Sequence, residues 1–221
     1  EYDHVEPGTT VRWARGASAW GLDKLDGLSE LLTADYPATA VEGHRHIVGL
    51  EGTEDAADLE SLRAFIGRCD LVVDASASYG VTVMLAALCR DAGIPLVSAY
   101  ATPGVEGGVV AVFRPTGGCP TCLEWARHHG VVPLAPGAVQ GGLRQPPGCA
   151  EPTFLGADYD LQELSLQAMR AVVAELARSA SPDHADVLTL VFEGSSGEAA
   201  LPRWRRDALS RQVECACLTP R

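Results

Sequence analysis

The 221-residue sequence predicts an α/β fold built on a doubly wound, mostly parallel sheet. Residues 71–74 form a short apolar run closed by Asp74, which is typical of a strand buried on both faces. Residues 79–92 are nearly all apolar and stop at Gly93, and a second apolar run begins at Leu96. A strand, a helix and a strand in this order predict one βαβ unit at the centre of the fold.

The carboxyl end of the first predicted strand is the best candidate for a ligand site. Open α/β sheets bind ligands beyond the carboxyl ends of their strands, which places Asp74, Ser76 and Ser78 at such a site. No G-x-G-x-x-G phosphate loop accompanies them, because the glycines at 104, 107 and 108 have the wrong spacing and precede no helix signal.

The composition is that of one globular domain spanning residues 1–221, with 47% apolar and 21% charged residues. The net charge of −12 argues against nucleic acid or an anionic membrane as the main partner. No apolar run reaches the roughly 18 residues of a membrane span, and no signal peptide opens the chain, so we expect a cytoplasmic protein. The chain begins without Met, and we expect the natural start to lie upstream.

Hydrophobic spacing predicts the remaining elements. Helices are expected over 18–35, 55–68 and 161–176, and strands over 41–50, 109–113 and 187–192. In the strand over 41–50, His44 and His46 would share one face, where they either bind a metal or face solvent. Residues 130–148 lack periodicity and are rich in Gly and Pro, which predicts a long crossing loop. The Trp- and Arg-rich segment 201–211 could bind a partner or cover the sheet.

Seven cysteines without a secretory signal indicate reduced thiols rather than a disulfide framework. Cys69 and Cys89 lie in apolar contexts and are expected to be core thiols. The knuckle Cys119-Pro-Thr-Cys122 and the late pair Cys215-Ala-Cys217 could together close a structural Zn²⁺ site; they are the candidate ligands Cys119, Cys122, Cys215 and Cys217. Free or oxidised thiols are the alternative. A redox role for the first pair is disfavoured because no helix is predicted after it.

The order of these features resembles the second half of the E1-like adenylyltransferases, the superfamily of ThiF, MoeB and the ubiquitin-activating enzymes. The resemblance rests on the acid-tipped strand, the buried helix, "GIPLVS", the glycine bend into "GGVVAVF" and the C-x-x-C that follows. It implies a Rossmann-like fold over nearly the whole chain. It also implies a zinc knuckle made by residues 119–122 with 215–217, and a crossing loop over 123–149.

The resemblance also assigns nucleotide-binding roles near the N-terminus. The segment "EYDHVEPGTTVRWAR" is similar to the one in which an Asp binds ribose and an Arg meets the phosphates, which assigns these roles to Asp3 and Arg12. Lys24, the single lysine beside 16 arginines, stands in a "G-x-x-K" pattern whose Lys reaches the ATP phosphates. The glycine-rich loop would precede residue 1 or come from another chain. A solvated acidic terminus and a surface lysine are the alternatives.

The sequence departs from the family pattern in two segments, the loop after the first strand and the late cysteine pair. The family's loop reads D-x-T-D-N and its second Asp holds Mg²⁺, whereas this chain has Ala77 there and Ser78 in place of the Asn. Asp74 would then be the surviving acid of a magnesium crevice, although residues three apart point to opposite sides of an extended chain. The late cysteine pair is C-x-C where the family has C-x-x-C.

The implied activity is ATP-dependent adenylation of the C-terminal carboxylate of a ubiquitin-like or sulfur-carrier protein by a homodimer or an E1-like heterodimer. Cys149 resembles the cysteine that then captures the acyl group as a thioester, because it follows the crossing loop and precedes a helix. A structural loop thiol is the alternative for Cys149. Two alternatives also stand for the function, a catalytically inactive partner subunit that binds the carrier and a peptide-adenylating enzyme of natural-product biosynthesis.

Overall fold

A computed structural model describes residues 4–13, 15–44, 48, 55–138, 158–177, 186–193, 201–215 and 217. In these residues two short 3-10 helices, Pro7–Arg12 and Ala17–Ala19, precede five α-helices and five strands. The helices are α1 (Lys24–Asp35), α2 (Asp55–Ile66), α3 (Tyr79–Ala92), α4 (Pro120–His128) and α5 (Asp158–Leu176). The strands are β1 (Val72–Asp74), β2 (Leu96–Ala101), β3 (Gly107–Phe113), β4 (Val187–Glu193) and β5 (Leu201–Asp207).

The strands form one sheet in the order β1-β2-β3-β4-β5. β1 and β2 pair in parallel, with Asp74 opposite Ser98, so the predicted α/β fold with its βαβ unit is confirmed. The other three pairings are antiparallel, so the described sheet is mixed rather than mostly parallel. One reason is chain length: five residues, 102–106, join β2 to β3, and a parallel crossover needs a dozen or more.

β3 explains why the sequence favoured a parallel sheet. All seven of its residues are buried, as expected for a strand covered on both faces. Val109, Ala111 and Phe113 pack into a core on the side of α3 and α4, whereas Val110 and Val112 pack into a core beneath α5. Burying a side chain of this kind stabilises the fold by about 1.5–3 kcal/mol. An apolar run thus reports burial on both faces and does not report strand direction.

α3 has the predicted boundaries. It ends at Gly93, which adopts a left-handed conformation with φ of 75°. The N–H of Ile94 then donates to the carbonyl of Cys89 at 2.8 Å, which satisfies one of the last free carbonyls of the helix. The next strand begins two residues later, at Leu96.

The N-terminal third differs from the prediction in two places. The predicted helix over 18–35 is split, because Asp23 caps α1 by accepting a hydrogen bond from the N–H of Leu25 at 2.9 Å. The predicted strand over 41–50 is wrong for residues 41–44, which pair with no strand in the described part of the chain. His44 instead lies 3.0 Å from a carboxylate oxygen of Glu42. His46 is outside the described residues.

The sequence left open whether the Trp- and Arg-rich segment after β4 binds a partner or covers the sheet, and the position of Trp204 answers this question. Residues 201–207 form the edge strand β5, and Trp204 packs against the core beneath α5. Its indole N–H donates to Glu163 Oε1 at 2.8 Å. Trp204 therefore covers the sheet. Among the helices described here, none is long and apolar enough to cross a bilayer.

Candidate functional site

Four cysteine sulfurs meet beside the start of α4. Cys119 precedes α4 and Cys122 lies in its first turn, while Cys215 and Cys217 arrive from the chain beyond β5. Their Sγ atoms all lie within 4.8 Å of one another, with separations of 3.7 Å for 119–122, 3.5 Å for 119–215 and 3.6 Å for 122–217. The predicted cluster is confirmed.

The geometry fits a tetrahedral thiolate site. Four sulfurs each about 2.3 Å from a zinc ion lie about 3.8 Å apart, close to the separations found here. A disulfide would require a sulfur–sulfur distance of about 2.05 Å, which none of these pairs approaches. A further contact supports the ligand set, since the backbone N–H of Gln212 donates to Cys122 Sγ at 3.4 Å. The four cysteines can therefore hold one metal ion.

The thiols differ in acidity. Burial alone would raise the pKa of Cys119, but the backbone N–H of Cys122 and the thiols of the other three cysteines outweigh it and lower that pKa to about 7. Burial raises the pKa of Cys215, and burial together with the neighbouring sulfurs raises the pKa of Cys217 to about 12. A cation at the centre would favour the thiolate form of all four.

α4 is an element that the sequence reasoning missed. No helix was expected after Cys119, yet α4 begins there with Pro120 in its first turn, a favoured place for proline. Leu123 and Ala126, three residues apart, are both buried, while Glu124 bonds to Arg127 across the same interval. That spacing was a readable signal. The predicted crossing loop over 123–149 therefore starts with helix, and residues 139–149 lie outside the described part.

The loop after β1 forms the second candidate site. Asp74 is 3% exposed, and its carboxylate accepts hydrogen bonds from the N–H of Ser76 at 2.9 Å, Thr82 Oγ1 at 2.5 Å and Ser98 Oγ at 3.3 Å. The loop thus folds back onto the strand end. Thr82 and Ser98 were missed by sequence reasoning; the parallel register opposite Asp74 is the signal for Ser98.

Ala77 stands in an unusual conformation within this loop. Its φ of 55° lies in the left-handed region, which costs a residue with a Cβ about 1 kcal/mol or more. Ser78 follows as the N-cap of α3, with no side-chain cap hydrogen bond. A strained residue therefore lies between the acid-tipped strand and the start of the helix.

The predicted nucleotide residues near the N-terminus are placed only in part. Arg12 ends the first 3-10 helix, and its side chain lies outside the description, as do Asp3 and Cys149. Lys24 is the first residue of α1 and is 6% exposed, with its own contacts to neighbouring groups. It is therefore not a surface lysine. Its predicted contact with ATP remains a prediction.

Solved structures resemble the fold as a whole. Escherichia coli MccB bound to ATP superposes with a TM-score of 0.67 over 98% of this chain and 57% of MccB, at 13% identity. The microcin C7 biosynthetic enzyme MccB in complex with N-formylated MccA superposes with a TM-score of 0.65 over 99% of this chain and 59% of MccB, at 12% identity. PaaA superposes with a TM-score of 0.58 over 92% of this chain and 62% of PaaA, at 13% identity. The chain therefore shares the fold of MccB, in agreement with the fold that the resemblance implied.

Two curated relatives are closer in sequence. The uncharacterized proteins y4qC and y4oA of Sinorhizobium fredii (strain NBRC 101917 / NGR234) are each 38% identical, over 226 and 225 residues. These matches cover 97% and 98% of this chain, which spans only 38% of the length of either relative. No family model matches the chain.

Proposed function

We propose that this chain is the adenylating part of a longer enzyme that uses ATP to activate the carboxylate of a peptide or a small carrier protein. The observation that carries the proposal is the likeness to MccB over 98% of the chain, in structures that hold ATP or N-formylated MccA. The MccA complexes favour a peptide over a ubiquitin-like or sulfur-carrier protein.

The proposed reaction is a nucleotidyl transfer. A carboxylate oxygen of the substrate attacks the α-phosphorus of ATP, the bond from that phosphorus to the β-bridging oxygen breaks, and pyrophosphate leaves with the electron pair. Asp3 would orient the ribose, and Arg12 and Lys24 would balance the negative charge of the phosphates. The product is an acyl adenylate.

Asp74 would act at the strand end in two ways. Its three hydrogen bonds fix the loop that carries Ser76 and Ser78. The contact with Ser98 is the longest of the three, and its exchange would open one acceptor position on Oδ2, which also accepts from Thr82, for Mg²⁺. Proteins hold Mg²⁺ with one or two carboxylates plus substrate phosphates. Zn²⁺ at the four cysteines would be structural, and Cys149 would capture the acyl group if a thioester forms.

A second candidate is an inactive partner subunit that binds the carrier and completes a dimer. Ala77 favours it, because the family's metal-binding Asp is absent there and the strained backbone offers no side-chain oxygen. The two candidates differ in a single measurable step, the formation of pyrophosphate.

The test is ATP–pyrophosphate exchange by the intact protein with candidate peptides and carrier proteins. We expect exchange that falls at least tenfold in Lys24→Met and Arg12→Ala, because each removes a phosphate-facing cation, and that persists in Arg63→Ala, a half-exposed arginine of α2. Exchange without any response to Arg12 or Lys24 would contradict the assigned roles. Binding of a carrier without exchange would establish the inactive partner instead. Retained exchange, together with the loss in Cys149→Ala of an adduct that added thiol cleaves by taking up the acyl group, would establish the thioester.

A further inference from the structure

Arg211 joins the two halves of the cysteine cluster, although it is not one of the four candidate ligands. It lies four residues before Cys215, and its guanidinium donates to two backbone carbonyls on the segment that leads into α4. Nε donates to the carbonyl of Gly117 at 2.9 Å, and Nη2 donates to the carbonyl of Pro115 at 2.6 Å. Gly117 is followed two residues later by Cys119. One side chain therefore links positions that are 94 and 96 residues apart in sequence.

The turn before α4 offers this guanidinium a fixed target. The N–H of Gly117 donates to the carbonyl of Arg114 at 2.9 Å, which closes the turn. Arg90, near the end of α3, also donates to the carbonyl of Gly117, at 3.3 Å. The guanidinium of Arg211 is planar, and its Nε–H and one Nη2–H point to the same side, so it reaches two carbonyls of this turn at once. A lysine ammonium lacks this rigid fork, so the contact depends on the shape of arginine as well as on its charge.

The backbone beside Arg211 carries this restraint to the sulfurs. The N–H of Gln212 donates to Cys122 Sγ at 3.4 Å, and the carbonyl of Gln212 accepts from the N–H of Cys215 at 3.0 Å. Both bonds involve the main chain of Gln212, so they depend on where the chain is held rather than on the Gln212 side chain. A displacement of Arg211 would therefore disturb a contact to one cysteine pair and the position of the other.

Apolar packing fixes this part of the chain only as far as Leu209. Leu209 is buried against Gly118, where an added Cβ would lie 2.6 Å from Leu209 Cγ. Beyond Leu209 the chain runs along the surface, and Val213 is 90% exposed. Among the contacts of the described residues, Arg211 is the only side chain between Leu209 and Cys215 that bonds to the segment before α4. The hydrophobic core thus ends before the second cysteine pair, and hydrogen bonds hold the chain from there.

We propose that Arg211 is a positioning residue of the metal site, which holds the late cysteine pair within reach of the first pair before an ion binds. Its hydrogen bonds end on backbone carbonyls rather than on sulfur, so they do not require the ion. Ligands that are already assembled lose less conformational freedom on binding, which raises the metal affinity. Groups outside a ligand set typically change metal affinity by about 10–100-fold. The inference rests on the cysteine cluster and is independent of the adenylation proposed above.

The experiment is a zinc titration of the intact protein against a competing chelator. We expect Arg211→Gln to lower the zinc affinity at least tenfold, because the ion itself then has to order the second cysteine pair. The matched control is Arg205→Gln on β5, where the arginine side chain is 58% exposed and binds Asp207, and it should leave the affinity within about twofold of the wild type. Far-UV circular dichroism of each zinc-free variant checks the fold.

Arg211→Lys separates the shape of the side chain from its charge. Lysine keeps the positive charge but not the two parallel donors, so the zinc affinity should still fall by about threefold or more. Urea unfolding with and without zinc adds a second readout, because a purely structural arginine would destabilise both forms equally and leave the affinity unchanged. The proposal is overturned if the wild type binds no zinc or if Arg211→Gln binds zinc as tightly as the wild type. It is also overturned if Arg211→Lys retains the full affinity, which would assign the effect to charge alone.

Discussion

At the scale of single residues, two buried ionisable groups, Asp74 and Cys89, have different surroundings. Asp74 is buried because three donors surround its carboxylate. Cys89 is buried among apolar side chains and stays neutral, since burial and, to a smaller extent, nearby Cys69 raise its pKa to about 11. Ionising the thiol of Cys89 and removing the carboxylate of Asp74 should therefore each destabilise the fold.

The thiol of Cys89 should make the fold sensitive to alkali. Its folded pKa lies above the ordinary value of 9.0, so this contribution to stability is full below pH 9 and is lost as pH rises toward 11. At pH 10.5 the wild type should have lost about 2 kcal/mol of unfolding free energy that Cys89→Ala does not lose. Urea titrations of both proteins at pH 8 and pH 10.5 measure the difference. Equal losses in the two proteins would contradict the assignment.

Replacing Asp74 should disturb both the loop and the fold. In Asp74→Asn an amide N–H₂ takes the place of one oxygen and meets a donor, so we expect a loss of about 2 kcal/mol in unfolding free energy. Asp91→Asn, an exposed position near the end of α3, should change stability by less than about 0.5 kcal/mol. Chemical denaturation checks both variants. A neutral Asp74→Asn would mean that the hydrogen bonds to the carboxylate carry little weight.

At the scale of elements, close packing between β3 and β4 decides where a glycine is required. A Cβ added at Gly107, the first residue of β3, would lie 2.6 Å from the carbonyl oxygen of Leu190 and 2.8 Å from Pro136 Cδ. A Cβ added at Gly80, in the first turn of α3, meets nothing within 4 Å. The glycine of the "GG" step is therefore required by the approach of β4, whereas the glycine of the helix is not.

These two glycines give a paired prediction. Gly107→Ala should cost about 2 kcal/mol or more, because backbone on β4 must move to admit the methyl group. Gly80→Ala should stabilise the protein by about 0.5–1 kcal/mol, since alanine favours the helix. Thermal unfolding followed by far-UV circular dichroism reports both changes. The outcome against this account is a Gly107→Ala variant as stable as the wild type.

At the scale of the whole molecule, the cysteine cluster joins the end of the chain to its middle. Leu209 is buried beside Gly118, and Arg211 donates to the carbonyls of Gly117 and Pro115 at 2.9 and 2.6 Å. Cys215 and Cys217 then reach the start of α4 across about 95 residues of sequence. A metal there would close a loop of about 95 residues, and a crosslink restricts the unfolded chain more when the loop it closes is long.

Metal removal should therefore loosen the whole domain. The purified protein should contain one zinc ion per chain by mass spectrometry, and Cys217→Ser should lose it, whereas Cys69→Ser, at a partly buried thiol outside the cluster, should keep it. The zinc-free protein should unfold at a lower temperature, because the ion binds the folded state only. Zinc retained in Cys217→Ser, or a metal-free protein of unchanged stability, would count against a structural site.

Several features of the fold and of the cysteine cluster could be predicted from the sequence alone. The βαβ unit, the glycine stop at residue 93, the amphipathic α5 and the grouping of Cys119, Cys122, Cys215 and Cys217 all follow from local signals of period, turn chemistry and ligand type. Each of these signals comes from a short stretch of sequence and does not depend on which distant residues pack against it. These features could therefore be predicted without coordinates.

The tertiary structure decided what depends on neighbours distant in sequence. Strand direction beyond β2 was one such feature, because a strand buried on both faces has the same composition in either direction. The partners of Asp74 were another, since Ser98 comes within reach only through sheet register. The helix after Cys119 is a different case, because the spacing of Leu123 and Ala126 was a local signal that the sequence reasoning overlooked. The two faces of α5 were separated in the same way, because sequence gives the period of a helix and only packing shows which apolar stripe the core has already covered.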